Sequence, residues 1–254
     1  MHLENQICIS TDTVERHIKI LSEEIGVRLA GSLGEKRAEE YIAAELTQYG
    51  VEALIERFPI QERVVEKETL HIELKGKWHS FPCSLLGNAM GTNGKTIEAP
   101  VVFFSSQTDY QRKNLSYLSG KAVVHLGSHI DKSDNYRRLI NAKPAFVLFV
   151  DVRYPGTIAT SDGMFPAYTH TYGAMTIASV AYMDAWKWKQ EDASAARLCV
   201  HGEMRESSSS NIIAELPGTD CNSEILFVGC HHDTQAKSIG ADDNATGVAA
   251  MLAI

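Results

Sequence analysis

Two short polar motifs near the end of the sequence contain the residues best suited to chemistry. The first, Gly229–Thr234, has the sequence GCHHDT, and the second, Gly240–Gly247, has the sequence GADDNATG. In the first, His231 can bind a metal ion while Asp233, two residues later, fixes the orientation and tautomer of the imidazole ring. The second contains two adjacent carboxylates, which repel each other unless a cation or strong hydrogen bonds compensate. A metal ion is a natural reason for such a pair.

Each motif also has an explanation without a metal. The first could be an exposed strand end, and Asp242–Asn244 could be a turn that caps the following helix. For either motif alone, the structural explanation is the better one. Because a short loop joins the two at the end of one apolar strand, their combination favours a metal site. Cys230 could add a soft ligand, but a free cysteine at a strand end is more often a small buried hydrophobe.

The elements on either side of these motifs predict where the site lies. The run Ile225–Val228 is apolar throughout, which is typical of a central strand with helices on both faces of its sheet. Ligands of open α/β sheets bind beyond the carboxyl ends of the strands, where the first motif begins. Residues Ala245–Ile254 predict a helix behind capping residues. No residue that commonly ends a helix follows, so we expect the sequence to be part of a longer protein.

The beginning of the sequence predicts two amphipathic helices and then strands. Apolar residues recur at helical spacing in Val14–Ile25 and again in Ala38–Tyr49, and a capping-box signal precedes each run. After Gly50 the pattern favours strands, at Val51–Ile60 and at Leu70–Leu74, where alternation predicts one solvent-facing side.

The middle of the sequence predicts a separate β-rich module. Short helices are expected at Asn135–Ala142 and Ser179–Lys189, and the polar run Ser207–Ser210 is interpreted as a linker. The predicted strands are Pro100–Phe104, Ala122–Leu126, Ala145–Val150 and Arg197–Val200. The predicted domains are residues 1–75, residues 76–206 as an insertion, and residues 207–254, where the first domain resumes.

Composition excludes some classes of partner. With 24 Lys and Arg against 32 Asp and Glu, the formal charge is −8, so no net basic field attracts nucleic acid or an anionic membrane. The apolar runs are far shorter than the roughly 20 residues of a membrane-spanning helix. No secretory signal precedes the first helix, which predicts a cytoplasmic location. A peptide-like or small partner is therefore expected.

With these motifs, the sequence resembles the co-catalytic di-zinc aminopeptidases, a group that includes bacterial leucyl aminopeptidases, glutamate carboxypeptidases and transferrin receptors. The family pattern is a strand ending in Gly-small-His-x-Asp-Ser/Thr, followed by Gly-Ala-Asp-Asp-Asn-x-small-Gly opening a helix. Residues Asn211–Gly218 and Ile25–Ser32 resemble further family segments. The resemblance implies an α/β fold, the zinc-peptidase α/β/α sandwich, which is incomplete in this chain. Gly120–Val124 and Ala142–Leu148 resemble a protease-associated domain, the insertion that many members carry.

The resemblance also implies roles for individual residues. His231 matches a ligand of one zinc ion, and Asp243 matches the carboxylate that bridges two zinc ions. Asp233 matches the acid that orients His231, whereas Asp242 and His232 match no metal ligand. The implied reaction is hydrolysis of an amino-terminal peptide bond by a metal-activated water, with a peptide as substrate.

The sequence departs from the family pattern because the Glu-Glu pair, which provides the general base and a zinc ligand, and the later Asp and His ligands would lie beyond Ile254. The chain alone is therefore expected to be catalytically incomplete and to bind zinc weakly or not at all. Residues that could replace them by type alone are expected on the surface of the insertion or linker: Glu203, Glu206, His201, His170, His125 and His129.

A second hypothesis is a non-catalytic interaction protein that binds a partner through the inserted domain. It predicts that His231 and Asp243 are dispensable. Under either hypothesis, an unfinished helix and sheet would expose apolar surface, so self-association or pairing with a missing carboxyl-terminal segment is expected.

Overall fold

The computed structural model describes residues 9–128, 130, 132–159, 166–218 and 224–254. The chain divides into two compact units. The terminal unit comprises Met1–Glu62 and Arg205–Ile254, and the central unit comprises Arg63–Met204. The predicted domains with boundaries at residues 75 and 206, and the protease-associated identity of the insertion, stay predictions.

Helices and strands alternate in the central part of the chain. The helices are α1 (Thr11–Lys19), α2 (Leu33–Gln48), α3 (Ser133–Asn141), α4 (Pro166–Tyr172), α5 (Tyr182–Gln190) and α6 (Thr246–Ala253). The strands are β1 (Ala53–Leu74), β2 (Lys77–Phe81), β3 (Ser84–Leu85), β4 (Ile97–Ser105), β5 (Ala122–Gly127), β6 (Phe146–Asp151), β7 (Ile177–Ser179) and β8 (Ala195–Ala214). Two π-helical turns, at Ile20–Ile25 and Ala241–Ala245, follow α1 and precede α6.

Helix α2 begins at the predicted capping residue Ser32, whereas α1 is capped by Ser10 and not by the predicted Asp12. The hydroxyl of Ser10 accepts a hydrogen bond from the backbone N–H of Thr13, and the hydroxyl of Ser32 accepts one from Glu35. These bonds satisfy N–H groups that have no partner inside the helix. The prediction of two helices is therefore confirmed.

The terminal unit has its own apolar core between its helices. Leu21, Ala38, Ile42, Val248 and Leu252 form one buried cluster. Helices α1 and α2 thereby pack against α6, the helix that follows the second polar motif. The helix predicted over Ala245–Ile254 is thus confirmed and lies on this core.

The strands form one mixed sheet in the order β2-β1-β8-β4-β5-β6-β7-β3. Strands β4, β5, β6 and β7 are parallel, whereas β8 is antiparallel to β4. All six residues of β6 are buried, which explains the apolar run Phe146–Val150 that precedes its last residue, Asp151. The strands predicted at Ala122–Leu126 and Ala145–Val150 are confirmed as β5 and β6.

The interpretation of Ser207–Ser210 as a linker is wrong, because these residues belong to β8. Ser209 and Ser210 are buried, and their hydroxyls donate to the carboxylates of Glu35 and Glu39 on α2. A serine can be buried when its hydroxyl finds an acceptor, and α2 supplies one for each.

The prediction of a buried strand at Ile225–Val228 is also wrong. The side chains of Ile225, Leu226 and Phe227 are 93%, 89% and 88% exposed, and no strand of the described residues pairs with this segment. An apolar strand is stable only between neighbouring strands and beneath helices. Residues Ile225–Val228 are named here the exposed apolar segment.

Within the described ranges, no helix is long and apolar enough to cross a membrane.

Candidate metal centre

His231 joins the two polar motifs. Its Nε2 lies 2.8 Å from Oδ1 of Asp243, and its Nδ1 lies 3.1 Å from Oδ1 of Asp233. Both ring nitrogens therefore face a carboxylate, which fixes the plane and direction of the imidazole. The three residues that the sequence singled out lie together at a solvent-accessible place, where His231 is 52% exposed and Asp243 is 67% exposed.

A tight turn at Gly240 brings Asp243 towards His231. Gly240 has φ +57°, and a Cβ at this position would lie 2.3 Å from Cγ2 of Thr234 and 2.6 Å from the carbonyl oxygen of Asp243. Only glycine fits such a left-handed, crowded position. Asp243, with φ −119° and ψ 87°, leaves the helical conformation.

The second motif also caps a helix. Oδ1 of Asn244 accepts a hydrogen bond from the N–H of Gly247 at 3.1 Å, in the first turn of α6. The structural explanation considered for this motif therefore holds for Asn244. It does not involve the carboxylate of Asp243, which points to His231.

Arg28, a residue that the sequence analysis did not select, lies behind both motifs. Its side chain is fully buried. Its backbone N–H donates to Oγ1 of Thr234 at 2.9 Å, and its carbonyl accepts from the N–H of Thr234 at 3.0 Å. Burial lowers the pKa of the Arg28 guanidinium, and the charge of Asp233 opposes this shift. The sequence contains two signals for it: an arginine in an otherwise apolar run, Val27–Ala30, and the place of this run within Ile25–Ser32, which resembles a family segment.

His232 faces α2 instead of joining the pair at His231. Its Nε2 lies 3.8 Å from Oε1 of Glu35 and makes no hydrogen bond with any described residue. Burial lowers the pKa of His232, while Glu35 acts in the opposite direction. Glu35 itself accepts hydrogen bonds from the N–H of Gly31 and the hydroxyl of Ser209. His232 is therefore part of the packing that supports the site.

Cys230 behaves as an apolar residue. Its Sγ lies 3.8 Å from Sδ of Met251, and it packs against the core of the terminal unit. Burial raises the pKa of the Cys230 thiol, which disfavours the thiolate that binds metals.

The donor set fits part of a zinc site. An imidazole nitrogen and a carboxylate oxygen are zinc ligands, and a further carboxylate orients the imidazole. A catalytic zinc ion usually has three protein ligands, however, and the described residues contain no group of three or more His, Cys, Asp or Glu that could hold a metal ion. His231 and Asp243 are the two residues that would hold it.

The residues considered as replacements do not change this result. In the central unit, His201 pairs with Glu66 at 3.3 Å, and His125 is buried between the rings of Phe104 and Phe149. Of the remaining candidates, Glu203 and Glu206 lie in β8, and His170 lies in α4. His129 lies outside the described residues.

Comparison with known proteins identifies the group. Residues 211–254 match the model of peptidase family M28, and this range contains both polar motifs. This last part of the chain is similar to peptidase family M28. The family resemblance predicted from the sequence is thereby confirmed.

Two curated relatives illustrate how far the M28 similarity extends. The chain is 24% identical over 243 residues to aminopeptidase YwaD of Bacillus subtilis, an alignment that covers 92% of this chain and 48% of the relative. It is 24% identical over 250 residues to human carboxypeptidase Q, covering 91% of this chain and 51% of the relative. The chain therefore spans about half the length of the curated relatives it matches.

Solved structures show the same fold. An M28 peptidase precursor from Shewanella amazonensis matches with a TM-score of 0.77 at 21% identity, covering 95% of this chain and 59% of the other. A zinc aminopeptidase from Bacillus subtilis matches with a TM-score of 0.72 at 19% identity, covering 98% and 57%. The predicted α/β class is confirmed, with the fold of zinc aminopeptidases.

Proposed function

We propose that this chain forms part of a zinc-dependent aminopeptidase, to whose metal centre it contributes His231 and Asp243. One observation carries the proposal: the His231 ring lies between Asp233 and Asp243, with one nitrogen directed to each. The M28 match and a relative named as an aminopeptidase support it. The substrate is a peptide with a free amino terminus, and Asp243 would supply a carboxylate ligand to the two zinc ions that the complete site would hold.

The residues of this chain have separate tasks. Asp233 would accept a hydrogen bond from Nδ1–H of His231, which would leave Nε2 free to bind the metal that His231 and Asp243 would hold together. Zinc, when bound, polarises the scissile carbonyl and lowers the pKa of a water molecule. Among the described residues, no group of three or more His, Cys, Asp or Glu could hold a metal ion. We propose that residues outside this sequence supply the general base and the remaining ligands, and that the chain alone is inactive.

The experiment compares the 254-residue chain with a longer version of the protein that includes downstream sequence. We expect hydrolysis of aminoacyl-p-nitroanilide substrates by the longer version, loss of this activity on zinc removal, and recovery on zinc addition. Asp243→Ala should lower kcat/KM by at least about 100-fold, because it removes a bridging ligand. Activity that survives both zinc removal and Asp243→Ala would contradict the proposal.

A second candidate function is a binding protein without catalysis. The absence of a three-residue metal group among the described residues favours it. Under this candidate, the central unit binds the partner, and His231→Ala with Asp243→Ala leaves both partner binding and thermal stability in zinc unchanged. A zinc-dependent rise in the melting midpoint that requires His231 would contradict it, since a ligand of the folded state raises that midpoint. The cytoplasmic location stays a prediction under both.

A further inference from the structure

Arg28 connects the two polar motifs through their backbone carbonyls. Its Nε donates to the carbonyl of His232 at 2.9 Å, within the first motif. Its Nη2 donates to the carbonyl of Gly240 at 3.0 Å, and its Nη1 donates to that of Ile239 at 2.9 Å, at the start of the second. One guanidinium thus contacts the neighbour of His231 and the turn that leads to Asp243.

The same guanidinium is anchored to the turn after α1. Nη1 also donates to the carbonyls of Leu21 at 2.6 Å and Gly26 at 2.8 Å. Leu21 belongs to the buried core of the terminal unit. Arg28 therefore fixes the position of both motifs relative to a packed part of the unit.

A buried guanidinium is an unusual choice for a residue whose role is only to pack against its neighbours. A buried cation loses its hydration, and an apolar side chain of similar volume often gives equal or better stability. The guanidinium is a planar fork of five donors, which can hold several acceptors in one fixed geometry where an ammonium group cannot. Its partners here are carbonyl oxygens, while the carboxylate of Asp233 stays available to His231.

The shape of the second motif is matched to this arrangement. A Cβ at Gly240 would lie 2.9 Å from Nη2 of Arg28, so a side chain at this position would displace the guanidinium. The position of the guanidinium therefore requires a residue without a side chain at Gly240.

We propose that Arg28 is a positioning residue of the metal centre: by holding the carbonyls of His232 and Gly240, it sets the separation of His231 and Asp243. This inference rests on the proposed function for the identity of the metal, but its geometric part concerns the metal-free chain.

The test compares two variants of Arg28 with a matched control in the 254-residue chain. Arg28→Lys keeps the charge and loses the fork, and Arg28→Met loses both. Arg16→Met is the control, because Arg16 is another arginine of the terminal unit that makes two bonds, of 2.8 and 2.7 Å, to Glu45. Circular dichroism and urea unfolding establish that each variant folds.

Two readouts distinguish positioning from a general loss of stability. The first is the pair of imidazole ¹⁵N chemical shifts of His231 in the zinc-free chain, which report the hydrogen bonds of the ring. The second is the zinc dissociation constant from calorimetry. We expect both Arg28 variants to shift the His231 signals and to weaken zinc binding by 10-fold or more, the range for residues that support metal ligands. Arg16→Met should leave both unchanged.

The outcomes separate the two proposals. If Asp243→Ala binds zinc as tightly as the original chain does, the proposed metal pair fails. If the original chain binds no zinc, as expected for a chain without the remaining ligands, the His231 shifts alone decide the role of Arg28. If both Arg28 variants keep the original shifts, the positioning role is overturned.

If both Arg28 variants unfold, Arg28→Gln replaces them, since its amide group can still donate to one or two of the carbonyls that the guanidinium holds. Unchanged His231 shifts in a folded Arg28→Gln chain would then overturn the proposal, and altered shifts would support it.

Discussion

Oδ1 of Asp233 lies 3.1 Å from Nδ1 of His231, so the acid that orients the ring is two residues away from it in the same short segment. We expect Asp233→Ala to weaken zinc binding by about 10- to 100-fold in calorimetry, because the free ring loses its fixed direction. Asp233→Asn should weaken zinc binding less than Asp233→Ala does, since its amide oxygen can still accept a hydrogen bond from Nδ1–H of His231. Asp242→Asn is the matched control, and an equal loss in this variant would contradict the specific role of Asp233.

The close contact at Gly247 predicts a reversal of ordinary helix propensity. Replacing glycine by alanine inside a helix usually stabilises it by about 1 kcal/mol. A Cβ at Gly247, however, would lie 2.4 Å from Oδ1 of Asn244, which caps α6. We therefore expect Gly247→Ala to lower the free energy of unfolding in urea.

Ala250→Gly provides the comparison for this prediction, since Ala250 is an exposed residue of the same helix. It should show the usual propensity cost and no effect on zinc binding. Stabilisation by Gly247→Ala would contradict the prediction, because it would show that the Asn244 side chain moves away from the added Cβ at little cost.

The exposed apolar segment predicts self-association of the 254-residue chain. Large contiguous apolar patches on a surface associate with one another or with a partner. Self-association raises the sedimentation coefficient as the protein concentration increases. We expect Leu226→Lys combined with Phe227→Ser to reduce this increase. Leu216→Lys is the control, because Leu216 is 78% exposed but lies outside the segment. Equal effects of both changes would indicate a general charge effect.

His17 predicts a pH dependence of stability. This residue is fully buried between α1 and α2, its Nδ1 lies 2.6 Å from the hydroxyl of Tyr41, and its Nε2 lies 3.3 Å from that of Tyr49. Burial lowers the pKa of His17 below its ordinary 6.5, an effect that the Arg16 charge reinforces and the Glu45 charge opposes.

The direction of this effect follows from which state takes up the proton first. As pH falls through about 6.5, the unfolded chain protonates at His17 while the folded chain resists, so folding stability decreases. The slope from one such group is at most about 1.4 kcal/mol per pH unit. Urea unfolding at pH 7.5 and 5.5 measures the loss, which should be smaller in His17→Gln. The same slope in both proteins would contradict the prediction.

The sequence predicts a structural feature correctly where the residues that determine it are close together in the chain. Ser32 and Glu35 stand at capping-box spacing, and α2 begins there. The family motifs predict His231, Asp233 and Asp243 as site residues, and the structure brings the three side chains together. Their roles at a metal stay predictions.

The failures concern long-range partners. Ser209 and Ser210 resembled a linker because nothing near them in the sequence shows that Glu35 and Glu39 supply acceptors from α2. Arg28 was missed for the same reason, since its acceptors lie far along the chain. Ile225–Val228 has the composition of a central strand, but composition does not provide the neighbouring strands that such a segment needs.

The contacts of Arg28 have a consequence for biosynthesis. Its acceptors at His232 and Gly240 are 204 and 212 residues away, whereas the central unit is a continuous stretch, Arg63–Met204. Domains generally fold as units while the ribosome is still translating, and closing a long loop costs entropy until a compact domain shortens it. On the ribosome, Arg28 therefore emerges long before His232 and Gly240 are made, and chaperones have their greatest opportunity to bind the nascent chain during this interval.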